Sequence, residues 1–462
     1  MQFNKPGKNQ EQNKKIKISI LQGSKLFNDN TPFIININSP DTINKKSNVD
    51  LICIIDISGS MKAQKLNLVK ESLKSLISFM DEKDRMALIL FNDKATQYLG
   101  LSFLTKETKS NYVSKIDQIT SRGGTNILSG LEKAVNILKE EKLKEVNNVE
   151  NITNEENVRV KSLMLLSDGY DNDYDDIEIA DGLKKLTKGF NLSFTLHTFG
   201  YGDEHDPKIM SRLANLRDGS FYMIEELDKV QEYFVNALGG CMSVMYNEAI
   251  LKVNSMKNNI KIKKIFGMNK LYKCDLKENC LETTILQLIS GKEYTFVIEV
   301  ELPSIISIND DILEVELLHE NNIINSEICK YKIVGGAFSV ADEEYLRSKL
   351  YDTIDKALEL KEQKNDEEMK KILNEIKNWI KDNYEGINKN NYLKKIDEAM
   401  GLFQDNDIFE LKGRKRITAE VNENMLKRGG NNFTFSNKIQ SEMIAKSKMY
   451  SNKNAGPSIY KK

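Results

Sequence analysis

The chain has 462 residues, 40% of them hydrophobic and 29% charged, which suits globular cores beneath well-solvated surfaces and, at this length, about three domains. Lys and Arg number 67 against 68 Asp and Glu, a formal net charge of -1, so the balance excludes a global attraction to nucleic acid or an anionic membrane. No apolar run approaches the ~20 residues that span a bilayer, and the polar opening MQFNKPGKNQEQNKK lacks the apolar centre of a signal peptide, so a cytoplasmic protein is expected.

Residues 1–15 read as a flexible start. Between 16 and 48 lie two short β-rich runs, IKISILQ and PFIININS, which are expected to pair with a later β region. Residues 49–61, VDLICIIDISGSM, then read as a buried strand, apolar from Val49 to Ile55, that delivers Asp56, Ser58 and Ser60 at its end. Gly59 lets the backbone bend between the two serines. One carboxylate and two hydroxyls aimed at one point make a hard-oxygen site.

A helix follows, with Leu66, Val69, Leu73, Leu76, Ile77 and Met80 at core spacing, and then a strand, RMALILF. The loop SRGGTN presents Thr125 behind Gly123 and Gly124, and Ile127, Leu128, Leu131, Ala134, Val135 and Leu138 continue as a helix capped by Thr125 or Asn126. Residues 139–158 are charged and asparagine-rich and read as a mobile insertion. The next strand, SLMLLSDG, ends in Asp168 and Gly169.

These three segments carry a resemblance. D-x-S-x-S after an apolar strand, a threonine in a glycine-rich loop and an aspartate closing a further strand resemble the metal-ion-dependent adhesion site of von Willebrand factor type A domains. The resemblance implies a doubly wound, Rossmann-like α/β sheet over 49–239, with Asp56, Ser58, Ser60, Thr125 and Asp168 as metal ligands. Gly59, Gly123, Gly124 and Gly169 would support their loops. In that family the hydroxyls bind the ion directly and the aspartates act mostly through water. Mg²⁺ is the expected ion, with Mn²⁺ or Ca²⁺ as alternatives, and a protein partner would supply an Asp or Glu to the open position.

Just beyond, DNDYDD at 171–176 begins like a calcium loop, but the sixth and twelfth positions are Asp176 and Gly182, so a solvated loop before a helix is expected, with an accessory ion as a lesser reading. His205 lies in the later loop GYGDEHDP and reads as solvated. Short β-rich runs from 240 to 336 suggest a β-sandwich, joined by the strands of 16–48, with the α/β segment inserted in it. Apolar stripes from 337 to 411 suggest a helical hairpin or small bundle, and 412–462 a basic, loosely held tail whose FTFSNKIQSEMIAKSKMY stretch either packs or binds a partner. The five cysteines, Cys53, Cys241, Cys274, Cys280 and Cys329, are odd in number and contain no C-x-x-C, which fits reduced thiols.

This order of segments also resembles intracellular type A proteins of plants, many of which carry a RING zinc finger and act as ubiquitin ligases. No Cys/His array for a RING stands in this sequence, so ligase activity does not carry over. The expected function is therefore a protein-interaction module that is not an enzyme. Two other readings stay open: a scaffold or ubiquitin-pathway adaptor binding through its helices and tail with a purely structural metal, and a Mg-dependent phosphatase with Asp56 as nucleophile. The latter wants D-x-D, and position 58 is serine.

Overall fold

The computed structural model describes residues 15–24, 30–41, 46–62, 64–147, 159–168, 171–201, 207–224, 229–266, 274–277, 279–334, 338–404, 409, 413–426 and 436–454. The chain divides into two compact units, one of residues 43–247 with 429–462 and one of residues 1–42 with 248–428.

Strands β1 (Lys17–Gln22) and β2 (Thr31–Asn38) come first. The α/β segment then runs β3 (Val49–Asp56), α1 (Gln64–Phe79), β4 (Arg85–Phe91), β5 (Ala95–Phe103), α2 (Lys106–Asp117) and α3 (Ile127–Asn147). It continues with β6 (Val160–Ser167), α4 (Asp176–Thr187), β7 (Thr195–Tyr201), α5 (Pro207–Leu216), β8 (Phe221–Ile224) and α6 (Val230–Cys241). Its six-stranded sheet has the order β5-β4-β3-β6-β7-β8. All neighbours run parallel except β4 and β5, so β5 is the antiparallel edge.

Every residue of β3 is buried, as a strand covered on both faces requires. From β3 the chain steps outward to β4 on one side and later to β6 on the other, which makes the gap between β3 and β6 the topological switch point. Their register pairs Ile55 with Leu166, so Asp56 and Ser167 arrive side by side at the C-terminal edge. At the other end of β3, Asp50 breaks the apolar run. It is fully buried, and its carboxylate accepts hydrogen bonds from Arg85 Nε and Nη2 at 2.8 and 2.6 Å and from Arg159 Nε at 2.6 Å.

The other unit contains β9 (Val244–Ser255), β10 (Lys261–Phe266), β11 (Cys274–Lys277), β12 (Cys280–Ile289), β13 (Glu293–Glu301), β14 (Asp311–His319) and β15 (Asn322–Lys330), with β9 starting at the end of the first. One antiparallel sheet has the order β1-β2-β13-β10 and the other β11-β12-β9-β14-β15. Strand β2 pairs with β13 from Thr31 opposite Val300 to Asn38 opposite Glu293. Helices α7 (Val340–Glu362), α8 (Asp366–Asn383) and α9 (Lys389–Gln404) follow. Tyr345 and Ala341 of α7 pack on Ile34, Phe266 and Val297 of the first sheet. A second core joins Leu346, Leu350 and Ile354 to Leu373, Ile380, Ile396 and Phe403.

Two expectations are corrected. Helix α3 extends to Asn147, so residues 139–147 are not part of a mobile insertion: Glu141 is drawn to Arg85 Nη1 at 2.6 Å and to Lys144 Nζ at 2.7 Å, which anchors this turn. Residues 148–158 lie outside the described residues. The tail, read as loosely held, forms α10 (Arg414–Leu426) and α11 (Lys438–Asn454). Ile417 and Val421 of α10 enter the helical core. Helix α11 packs on α6, where Gln440 Nε2 donates to the Asn236 carbonyl at 2.8 Å and Ser436 Oγ to Asn236 Oδ1 at 2.9 Å. The close approach needs Gly239, because a Cβ there would lie 3.0 Å from Gln440 Cα.

Candidate metal centre

Asp56 is the last residue of β3, and the turn after it is organised by its own carboxylate. Oδ1 accepts the Ser58 N–H at 2.7 Å, and Oδ2 accepts the Ser167 hydroxyl at 2.5 Å. One turn of 3₁₀ helix over Gly59–Met61 then brings the Ser58 and Ser60 hydroxyls to 3.0 Å from each other. Ser60 Oγ donates to Asp168 Oδ1 at 2.7 Å, and Lys65 Nζ donates to Asp168 Oδ2 at 2.5 Å. Asp56, Ser58, Ser60 and Asp168 thus form one hydrogen-bonded cluster.

The loop carrying Thr125 is fastened beside it by backbone bonds. Gly59 N–H donates to the Gly123 carbonyl at 2.9 Å, and Arg122 N–H to the Ile57 carbonyl at 2.6 Å. Gly123 has φ +83, a conformation open to glycine, and a Cβ there would meet the Asp93 carboxylate at 2.5 Å. Asp93 Oδ1 accepts the Gly124 N–H at 3.0 Å. Thr125 is clasped by Asn172, whose Oδ1 accepts the threonine N–H at 2.5 Å and whose own N–H donates to the threonine carbonyl at 2.9 Å. The cap of α3 is Asn126, with Oδ1 accepting the Ser129 N–H at 2.8 Å. Thr125 is therefore not the cap, and its hydroxyl has no hydrogen-bond partner among the described residues. Gly169 lies outside the described residues, as does the loop of His205.

The acidic run beyond is occupied by local structure. Asp171 accepts the N–H groups of Ile127, Asp173 and Tyr174, Asp173 holds Asn126, Asp175 caps α4, and Asp176 pairs with Arg212 at 2.6 Å. Among the described residues no group of three or more His, Cys, Asp or Glu side chains is arranged to hold a metal ion. The centre at the switch point differs in kind, gathering two carboxylates and two serine hydroxyls.

Burial raises the pKa of Asp56 to about 6, and the Asp168 charge adds to the rise, while the hydrogen bonds from Ser167 and Ser58 oppose it. A cation at this edge would relieve the strain of two fully buried carboxylates, and the all-oxygen set suits a hard divalent ion. The residues fit such an ion. Sequence reasoning missed Lys65, Ser167 and Asn172. Lys65 had a signal, being a cation in the first turn of a helix, where the dipole disfavours it.

The family model for the von Willebrand factor type A domain matches residues 50–236. This segment is a von Willebrand factor type A domain. The A domain is 28% identical over 185 residues to the uncharacterized protein sll0103 of Synechocystis sp., a match covering 40% of each chain. It is 28% identical over 197 residues to inter-alpha-trypsin inhibitor heavy chain H1 of Bos taurus, covering 41% of this chain and 20% of that protein. The chain thus spans well under half the length of these relatives. Beyond the A domain, a von Willebrand factor type A protein from Catenulispora acidiphila superposes with a TM-score of 0.63 at 14% identity, over 88% of this chain and 96% of that one, a likeness of fold alone.

Proposed function

We propose that the A domain is a protein-interaction module in which a divalent ion, held by Asp56, Ser58, Ser60, Thr125 and Asp168, receives an Asp or Glu side chain from a protein partner. The observation that carries this reading is the cluster of two buried carboxylates and two serine hydroxyls at the switch point of the sheet. The bound ion would supply positive charge and an exchangeable position to the partner's carboxylate. The chain's own groups do the rest. Ser58 N–H and Ser167 hold Asp56, Ser60 orients Asp168, and Asn172 fixes the Thr125 backbone so that its hydroxyl stays available.

Mg²⁺ is the proposed ion, with Mn²⁺ or Ca²⁺ as alternatives. We place the protein in the cytoplasm, in keeping with Cys53 and Cys329, which stand as thiols rather than in disulfides. Among the described residues no helix is long and apolar enough to cross a membrane. The proposal includes no enzymatic step, since the D-x-D of a phosphatase is absent around Asp56.

Titration calorimetry with Mn²⁺ tests the metal, with Asp56→Ala checked for folding by circular dichroism. Binding undiminished in that variant overturns the assignment. For the partner, capture from native lysate in Mg²⁺ and in EDTA is decisive. Chelation is expected to weaken partner affinity by about 2 to 5 kcal/mol, the scale for losing one side of a buried charge pair. Capture insensitive to EDTA would favour the scaffold reading.

A further inference from the structure

Lys65 is the one cationic side chain bonded to a carboxylate of the centre among the described residues. Its Nζ stands 2.5 Å from Asp168 Oδ2, and its side chain is 27% exposed while that of Asp168 is fully buried. It occupies the second position of α1, where the helix dipole opposes a positive charge and no acidic residue stands in the first turn to offset it. The helix does not account for a lysine here; Asp168 does. The two oxygens of Asp168 are divided between the Ser60 hydroxyl on one side and the Lys65 ammonium on the other.

We propose that Lys65 sets the charge of the metal centre, weakening its hold on the divalent ion and leaving the loaded centre net positive, so that an acidic ligand is selected. This rests on the metal-centre reading above. Asp56 and Asp168 contribute two negative charges and Lys65 one positive. With a divalent ion the sum is one positive charge, whereas without Lys65 it would be zero. A centre of lower net charge draws a carboxylate less strongly relative to water, and a net positive one in a partly desolvated setting draws it more strongly. Lys65 is thus a positioning and charge-setting residue: it restrains Asp168 before the ion arrives and repels the ion once it is bound.

The experiment compares wild type, Lys65→Met, Lys65→Arg and Asp56→Ala, using Mn²⁺ as the metal and acetate as the carboxylate probe. Calorimetry reads Mn²⁺ affinity, and water-proton relaxation of the Mn²⁺-loaded protein reads displacement of bound water by acetate. Lys65→Met is expected to bind Mn²⁺ about tenfold more tightly, the scale of one unit charge removed from beside a divalent ion even at the dielectric of water. Its relaxation is expected to respond to acetate at least several-fold more weakly. Lys65→Arg keeps the charge and should match wild type in both. Should Lys65→Met fail to fold, Lys65→Gln, which keeps a donor for Asp168 without the charge, takes its place. Unchanged or weaker Mn²⁺ binding in the neutral variant, or an undiminished acetate response, overturns the proposal. Absence of Mn²⁺ binding in wild type, or binding that survives Asp56→Ala, instead overturns the metal centre itself and the proposal with it.

Discussion

Asp50→Ala separates support of the fold from the chemistry of the site. The carboxylate it removes accepts three hydrogen bonds, two from Arg85 and one from Arg159, all between 2.6 and 2.8 Å. Burial alone would lower the Arg85 pKa, but the hydrogen bonds and charge of Asp50 and Glu141 push it upward, so the cluster favours the charged guanidinium. Without Asp50, Arg85 retains Glu141 and Arg159 retains two backbone carbonyls. Breaking a buried ion pair from one side costs about 3 to 5 kcal/mol, and because both arginines are 16% exposed, solvent recovers part of it, so a loss of about 3 kcal/mol is expected. In a unit of this size that is a fall in Tm of roughly 6 to 12 °C. Six residue steps of strand, roughly 20 Å, separate Asp50 from Asp56, more than two Debye lengths at physiological salt. Mn²⁺ affinity should therefore be unchanged. Urea unfolding of the A domain with calorimetry on the same preparations checks both. A loss below about 1 kcal/mol would show that the cluster behaves as an ordinary surface pair, and altered Mn²⁺ affinity would refute the separation of the two ends.

Two further outcomes follow from the site. Because the folded Asp56 carboxyl binds its proton near pH 6 and the unfolded one near 3.8, the metal-free protein should gain about 1 to 1.5 kcal/mol as pH falls from 7 to 5, most of it below pH 6. Glu141 and Asp352, held below the usual carboxylate range, act in the opposite sense as pH approaches their unfolded values of 4.5 and 3.8, below that interval. Melting in EDTA between pH 7 and 5 checks this, and a profile as flat as that of Asp56→Asn would refute it. Thr125→Ala should leave the unfolding free energy within about 0.5 kcal/mol of wild type while weakening Mn²⁺ binding, whereas Asn126→Ala should lose about 1 kcal/mol of stability as a helix cap; the reverse pattern would exchange the roles of the two residues.

The α/β fold was legible because β3 and β6 are long apolar runs and the intervening helices keep a 3.6-residue period. The gathering of Asp56, Ser58, Ser60 and Asp168 was legible too, since polar groups that interrupt such runs must emerge at the strand ends. What stayed hidden depends on pairing across the sheet. Lys65 and Asp168 are 103 residues apart, and nothing local marks them as partners. Asp50 escaped notice because one charge among seven otherwise apolar-reading positions does not alter the pattern, and only Arg85 on the adjacent strand and Arg159 before β6 explain its burial. Helix α11 was illegible for another reason. Its docking on α6 mixes Gln440 and Ser436 with Met443 at the missing side chain of Gly239, so its buried face is too polar to read as an apolar stripe.

The pairing of β2 with β13 also bears on how the protein is made. The strand that covers the inner edge of the β1–β2 hairpin leaves the ribosome on the order of 250 residues after the hairpin itself. At about 5 to 20 residues per second that interval is roughly 10 to 50 s. Throughout it, Phe33, Ile34, Ile35 and Ile37, all buried in the finished protein, belong to a strand with one unpaired edge. The whole α/β segment is synthesised within the same interval and can close its own sheet meanwhile, since none of its six strands is borrowed from outside it. Nascent chains stalled before residue 293 should consequently recruit holding chaperones through the first hairpin, and release them once β13 emerges.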